Sequence, residues 1–193
     1  MKTGIRRKQK ENTREKLLKA AYNVFSRQGI MKSRMADIAV EAGVSHGTVF
    51  VHFKSQEELI EAVAGHYGRE IAARTHALSG EGGTLAQVLA AHLQGIGEFE
   101  GFYTRLVLEA RLLPQGARDS FVAIQSVLSH HFCRALAREE AAWNIPPYLL
   151  FNMWIGLLHH YLQNGDLFAP ESNVIARHGP EILAAYLRLL GVK

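Results

Sequence analysis

The sequence predicts an all-α chain built in two parts. Apolar residues recur at the three- and four-residue spacing of a helix through most of the chain, and the strict alternation typical of strands is absent. Stretches rich in glycine or proline interrupt this pattern where helices can end, most clearly at residues 79–83. With 193 residues, 48% of them hydrophobic, the chain is long enough for a small N-terminal domain and a larger helical body.

The helices follow from their start and stop signals. The first is expected to begin at a capping Thr13 and to end at Gly29. A kink or a restart is expected at Gly179-Pro180, because proline cannot donate a helical hydrogen bond. Beyond the N-terminal domain, helices are predicted at residues 55–78, 84–100, 102–112, 117–142, 147–164 and 173–190.

Residues 37–54 are the most informative part of the chain, because they form the pattern of two short helices that meet at a glycine. Gly43 stands at the corner, where the backbone needs a positive φ, and Ser45 can cap the second helix. Helical spacing places Val44, Val49 and Phe53 inward, and His46, Gly47, Thr48, Phe50 and His52 on or near the outer side. A helix presented in this way fits the major groove of DNA.

The distribution of charge supports the same interpretation. Residues 1–54 carry 12 lysines and arginines against 4 acidic residues, whereas the remainder carries 10 against 14. A basic N-terminal third beside an acidic remainder indicates that one end meets a polyanion. The alternative for residues 1–10 alone is a solvated basic tail.

The segment IAVEAGVSHGTVFVHFKSQEEL, residues 38–59, resembles the DNA-binding segment of the TetR family of transcriptional regulators. That segment commonly reads IA-x-x-AGVS-x-GT-x-Y-x-HF-x-x-K-x-x-L, and the likeness covers roughly residues 13 to 60. Three positions depart from the pattern: Phe50 replaces a tyrosine that touches phosphate, Gln56 replaces a lysine, and Arg34 replaces a threonine. Arg34 and Lys54 carry charges that can compensate for the lost phosphate contacts.

The resemblance implies an N-terminal three-helix domain with a helix-turn-helix for DNA binding at residues 1–54. A larger helical domain for ligand binding and dimerisation would occupy residues 55–193, with residues 55–78 as the connecting helix. A homodimer would then bind a pseudo-palindromic operator in double-stranded DNA, and a small apolar or amphipathic effector would release this repressor. The residues expected to contact DNA are Arg34, Ser45, His46, Gly47, Thr48, Phe50, His52 and Lys54.

The last two helices carry a broad apolar stripe, which suits either a buried core or a partner. Helix-turn-helix proteins commonly bind two half-sites as twofold dimers, and the resemblance implies a four-helix bundle between protomers. The residues expected at the dimer interface are Trp154, Leu158, Tyr161, Tyr186 and Leu189, with a plain monomer core as the alternative.

Aromatic and aliphatic residues of the central helices are the candidates for an effector pocket, although such residues also form ordinary cores. They are Phe99, Phe102, Tyr103, Leu106, Phe121, Ile124 and Phe151. We expect no metal site, because the adjacent pairs His130-His131 and His159-His160 point about 100° apart and lack a third ligand at helical spacing.

Other classes of function lack sequence support. No nucleophile elbow, phosphate loop or dinucleotide fingerprint is present, so we expect neither an enzyme nor a cofactor. The single Cys133, the basic N-terminus and the absence of a long apolar run predict a cytoplasmic protein without a membrane partner. Two alternatives remain open. One is a DNA-binding regulator that activates or responds to no ligand, and the other is a helical small-molecule-binding protein or enzyme whose basic end is incidental.

Overall fold

The first helix is longer than the sequence predicts. The computed structural model describes residues 2–139 and 144–192, and its first helix starts at Lys2. Thr13 therefore lies inside this helix, where its hydroxyl donates to the carbonyl oxygen of Gln9 at 2.9 Å instead of capping a helix start. The expected end at Gly29 is confirmed, since this glycine follows the helix with a φ of 101°.

The described residues form ten α-helices and no strand, which confirms the all-α prediction. They are α1 (Lys2–Gln28), α2 (Met35–Ala42), α3 (His46–His52), α4 (Gln56–Ser79), α5 (Leu85–Gly97), α6 (Glu100–Glu109), α7 (Gln115–Leu136), α8 (Pro147–Gln163), α9 (Gly165–Phe168) and α10 (Val174–Leu190).

Three differences from the predicted boundaries stand out. α7 ends at Leu136, short of the predicted residue 142, and residues 140–142 lie outside the described residues. The short α9 was not predicted. The expected restart at Pro180 is wrong, because α10 continues through this proline. The residue whose carbonyl loses its helical partner, Ala176, is exposed, so water can bond to that oxygen.

The corner between α2 and α3 forms as predicted from local sequence. Gly43 adopts φ 59° and ψ 43°, and its N–H donates to the carbonyl oxygen of Val40 at 3.0 Å. Ser45 caps α3 by accepting the N–H of Thr48 at 3.2 Å. Both contacts satisfy backbone groups that a helix end leaves free.

α4 runs from the N-terminal helices into the C-terminal bundle, where it packs mainly along α5 and α7. Ser55 caps its start by accepting the N–H of Glu58. Near its end, α5 approaches so closely that a Cβ on Gly95 would overlap Thr75 Oγ1. The far end of α4 is thereby tightly packed against α5. Within the residues that the structure describes, no helix is both long and apolar enough to cross a membrane.

A second connection joins the two ends of the molecule through α6. The guanidinium of Arg105 donates to the carbonyl oxygens of Ser26 and Arg27 at the end of α1, at 3.4 and 3.1 Å. The carboxylate of Glu109 accepts the backbone N–H groups of Ile30 and Met31 at 3.0 and 2.7 Å. We call these four hydrogen bonds the α6 clamp. It fixes the turn between α1 and α2 to the C-terminal bundle.

Candidate nucleic-acid interface

One side of α3 packs against the core, and the other side is exposed. Val49 and Phe53 are fully buried and Val44 is half-buried against the same core, which confirms the predicted inward positions. On the other side, His46 and Gly47 are exposed in the first turn. This leaves the start of α3 free to meet another molecule.

The side chains of the first turn are organised by Ser45. Its hydroxyl lies 2.8 Å from Thr48 Oγ1, so the half-buried Thr48 is oriented by the cap. His46 packs edge-on against Phe50, with ring centroids 5.0 Å apart. Phe50 remains 43% exposed and presents an apolar edge, without a hydroxyl, on the outer side of α3.

His52 faces α1 more than the sequence indicates. It is half-buried, and its Nδ1 atom is buried without a hydrogen-bond partner. Burial lowers the pKa of His52, and the nearby charges of Lys10 and Arg14 lower it further. A neutral imidazole pressed toward α1 is poorly suited to bind phosphate by charge.

Basic side chains of α1 adjoin α3, and sequence reasoning missed most of them. The guanidinium of Arg14 lies 4.9 Å from the centroid of the Phe53 ring, in a cation–π contact. Lys10 lies one helical turn before Arg14, and Lys16 Nζ lies near the corner at Gly43. The sequence interpretation placed the basic residues 1–10 at the DNA-binding end as an arm, with a solvated tail as the alternative, and the helical spacing of Lys10 and Arg14 was the signal that could have placed them on one face of α1.

The positions that depart from the family pattern have different surroundings. Gln56 donates from Nε2 to the carbonyl oxygen of Ser33 at 2.8 Å, which ties α4 to the turn before α2. The Arg34 side chain is exposed, while its backbone N–H is held by Asp37 at 2.9 Å. Lys54 is exposed directly after α3. Gln56 thus has a structural contact, and Arg34 and Lys54 keep their charges available.

The seven effector candidates do not form one site. Phe99 and Phe102 join the stacked rings of Tyr22 and Tyr67 where α1 meets α4. Leu106 is fully buried in the core, and Ile124 lines a groove between α4 and α7. Phe151 packs against Phe132. These five side chains therefore have separate neighbours in the bundle.

Tyr103 and Phe121 are brought together around a histidine that the sequence did not connect with them. The Tyr103 hydroxyl lies 3.0 Å from His159 Nε2, and the Phe121 ring stacks on His159 at 6.0 Å. Burial lowers the pKa of His159 to about 4, so the ring is neutral at pH 7. Among the described residues, no group of three or more His, Cys, Asp or Glu side chains is placed to hold a metal ion.

The dimer interface predicted from sequence lies on the wrong side of α8, the side that is buried within the protomer. Trp154 and Leu158 are 0% exposed and Tyr186 is buried, since the indole packs on the Tyr186 ring at 5.2 Å. The Tyr186 hydroxyl also donates to the carbonyl oxygen of Leu150 at 2.6 Å. These three side chains form core between α8 and α10 and cannot meet a partner. Tyr161 is half-buried against Phe168, and only Leu189 of the predicted set is strongly exposed, at 69%.

The opposite side of α8 is apolar and open. Leu149, Met153 and Leu157 recur at four-residue spacing and are all exposed. A Cβ on Gly156 would have no neighbouring atom within 4 Å, so the backbone itself is accessible there. This row, with Leu189 of α10, is called the α8–α10 face below.

A family model for bacterial regulatory proteins of the tetR family matches residues 17–63. The HTH-type transcriptional regulator TtgR of Pseudomonas putida is 36% identical over 61 residues, which are 31% of this chain and 29% of that protein. The HTH-type transcriptional repressor NicS of the same species is 37% identical over 65 residues, 34% of this chain and 31% of that protein. The aligned stretch thus spans less than a third of these relatives.

Similarity of fold extends over nearly the whole chain. The transcriptional regulator FadR from Bacillus subtilis, solved in complex with stearoyl-CoA, superposes with a TM-score of 0.70 at 18% identity. The match covers 89% of this chain and 96% of FadR. The N-terminal segment, residues 17–63, is thus similar to the DNA-binding segment of tetR-family regulators, and the whole chain shares the helical fold of a solved transcriptional regulator.

Proposed function

We propose that this chain is a homodimeric repressor that binds a pseudo-palindromic operator through α3 and leaves it when a small molecule binds the C-terminal bundle. The observation that carries the proposal is the exposed first turn of α3, fixed by the Ser45 cap and adjoined by the basic side chains of α1. Residues 1–54 would form the DNA-binding domain, and residues 55–193 the effector-binding and dimerisation domain.

Base reading is assigned to the first turn of α3. His46 can offer a ring N–H or a ring nitrogen to a base edge, and Gly47 allows the backbone to approach closely. Ser45 and Thr48 support this turn by their mutual contact, and Phe50 can meet a thymine methyl group. Arg34 and Lys54, with Lys10 and Arg14 added from the structure, would contact phosphates and position the duplex without reading sequence. The sequence predicts His52 as a DNA contact, and we assign that role to these cations instead.

The test begins with DNA selected from a random pool by the purified full-length protein. His46→Ala should relax preference at one base pair in each half-site, at a cost of about 1–3 kcal/mol for that pair. Lys54→Ala, the matched control, should weaken selected and random DNA alike. Failure to enrich any sequence would contradict the DNA-binding proposal, and equal losses for both variants would remove His46 from base reading.

Dimerisation is assigned to the α8–α10 face. An apolar row with an accessible glycine backbone permits a second helix to pack closely, and a twofold axis would pair each row with its copy. Two α3 helices could then enter successive major grooves about 34 Å apart. This face replaces the predicted set, of which Leu189 is retained.

Release requires that an effector favour a conformation in which the two α3 helices no longer fit their half-sites. Two connections can carry that change from the bundle: α4, which is continuous with the DNA-binding end, and the α6 clamp. α4 packs along α7 and the clamp belongs to α6, and Tyr103 of α6 and Phe121 of α7 meet at His159 of α8. These three residues are therefore our candidates for effector contact.

The effector screen should measure release of selected DNA. Acyl-CoA thioesters belong in it because the structurally similar FadR was solved with stearoyl-CoA. Loss of DNA binding on addition of a compound, abolished by Phe121→Ala, would support ligand control. If no compound releases the DNA, the result supports the alternative of a regulator without an effector. If transcription of a reporter gene increases when the protein is present, the result supports an activator.

A further inference from the structure

A small basic cavity lies where the last turn of α4 meets α7. Its volume is about 60 Å³, and it is separate from α3, from the α8–α10 face and from the Tyr103 cluster. Glu81 is the acidic side chain of its lining. The side chains that are cationic or can become so are His76, His130, His131, Arg134 and Arg138.

A directed chain of hydrogen bonds crosses this cavity. Ser79 Oγ lies 2.8 Å from the carbonyl oxygen of Thr75, and the hydroxyl hydrogen is used there. Its remaining lone pairs can accept from His131 Nδ1 at 3.5 Å, which leaves His131 Nε2 as an acceptor. His76 Nδ1 lies 3.1 Å from that nitrogen and donates to it. In this arrangement His131 carries a single proton, on Nδ1, and is neutral.

The neutral state of His131 follows mainly from burial and is reinforced by positively charged neighbours. Burial lowers the pKa of His131, and the charges of His76, His130 and Arg134 lower it further. His92, behind it in α5, is fully buried with both ring nitrogens unpartnered, and burial lowers its pKa to about 3. An anion in the cavity would reverse this balance, because it would stabilise an imidazolium beside the two guanidiniums.

The volume limits what can enter. A buried water molecule needs a cavity volume of at least about 10–15 Å³, so this cavity has room for only a few small atoms. We propose that it binds a small oxyanion, a phosphate or carboxylate group, between His76, His131 and Arg134. The guanidinium can donate two parallel hydrogen bonds to such a group. A proton gained at His131 Nε2 would face the Nδ1–H of His76, so the two rings would separate and each would donate an N–H to the anion.

Proton uptake accompanies binding in this proposal. The titratable and charged groups around the imidazoles are His76 of α4, Glu81 of the following loop, His92 of α5, His130, His131 and Arg134 of α7, and Arg138 just after α7. The acidic Glu139 nearby accepts the backbone N–H of Leu85 at 2.9 Å. His76 and Arg134 lie in the last turns of their helices, where the carbonyl ends stabilise positive charge. Binding should therefore strengthen as pH falls.

The site goes beyond the proposed function, because it stands apart from the effector cluster and its occupation does not require DNA binding. An oxyanion there would tie the last turn of α4 to α7. Since α4 is the connecting helix, occupation would restrict its movement relative to the bundle.

The experiment titrates the full-length protein with sulfate, whose charge is constant between pH 6 and 8. The readout is the imidazole NMR signal of His131, assigned by its loss in His131→Gln, at constant ionic strength with chloride as the reference anion. We expect a saturable shift, about tenfold tighter at pH 6 than at pH 8, with His131 gaining a proton. Arg134→Gln should weaken binding at least tenfold, whereas Arg111→Gln, an exposed arginine outside the cavity, should leave it unchanged.

Parallel titrations with inorganic phosphate and acetate identify the preferred group as phosphate or carboxylate by the tighter binding. Circular dichroism checks that each variant is folded. A shift that does not saturate, that chloride reproduces, or that persists unchanged in Arg134→Gln would overturn the proposal. Because the readout is direct binding, this result would leave the proposed repressor function unaffected.

Discussion

Replacing Met153 by glutamate tests which side of α8 forms the dimer interface. Met153 is 44% exposed in the protomer, so a carboxylate there can reach water while the chain is monomeric. In a dimer through the α8–α10 face, the same carboxylate and its twofold copy would both be enclosed. Met153→Glu should therefore yield folded monomers.

The magnitude follows from the exposed part of the side chain. Full burial of a methionine stabilises by about 1.5–3 kcal/mol, so the exposed fraction of Met153 contributes roughly 1 kcal/mol, or roughly 2 for the symmetric pair. Burying an unpaired carboxylate costs several kcal/mol more in each protomer. Even a total of about 4 kcal/mol raises the dimer dissociation constant about a thousandfold.

Sedimentation velocity across protein concentrations measures the effect, with circular dichroism as the check on folding. Leu112→Glu is the matched control, because Leu112 is exposed and apolar but lies after α6. Leu158→Glu should instead unfold the chain, since that side chain is fully buried. If Met153→Glu remains dimeric at micromolar concentration, the α8–α10 face is not the interface and the reasoning fails.

Three further outcomes are expected. Replacing Lys10 and Arg14 together by glutamine should reduce the log–log salt slope of DNA binding by about 1.8, since each phosphate contact contributes about 0.9. Glu109→Gln should lower the free energy of unfolding by about 2 kcal/mol and speed hydrogen exchange at the Ile30 amide, because charge-assisted hydrogen bonds are lost. The wild type should lose stability as pH falls from about 6.5 toward 3, because the unfolded chain protonates His92 while the folded chain keeps it neutral. In His92→Leu, the loss between pH 6.5 and 5 should be smaller by about 1.5 kcal/mol in denaturant titrations.

Each of these three predictions has a control variant and a result that would contradict it. Arg177→Gln removes an exposed charge of α10 in the C-terminal bundle and should leave the salt slope unchanged. An equal effect of this control would mean that Lys10 and Arg14 make no specific phosphate contacts. Glu57→Gln, at an exposed position of α4, should not alter unfolding, and an unaltered Glu109→Gln would show that the α6 clamp adds no stability. If the free energy of unfolding falls equally with pH in His92→Leu and in the wild type, a group other than His92 causes the loss of stability in acid.

Elements whose cause is local were predictable from sequence. Gly43 and Ser45 specify the corner of the helix-turn-helix through a positive φ and a side-chain cap, both of which depend on immediate neighbours. The glycine-rich segment predicted as a loop at residues 79–83 separates α4, which includes Ser79, from α5 for the same reason. The likeness to the TetR segment suggested DNA binding, and the helical spacing of apolar residues placed most of the remaining helices.

Features that join distant parts of the chain were not predictable in this way. Periodicity showed that α8 is apolar on more than one side, but only its packing against α10 buries Trp154 and leaves Met153 open. His76 and His131 are 55 residues apart and meet because α4 lies along α7. Glu109 reaches the turn after α1 from 78 residues away. Spacing along a helix fixes which side chains share a face, whereas the partner of that face depends on how the helices pack together.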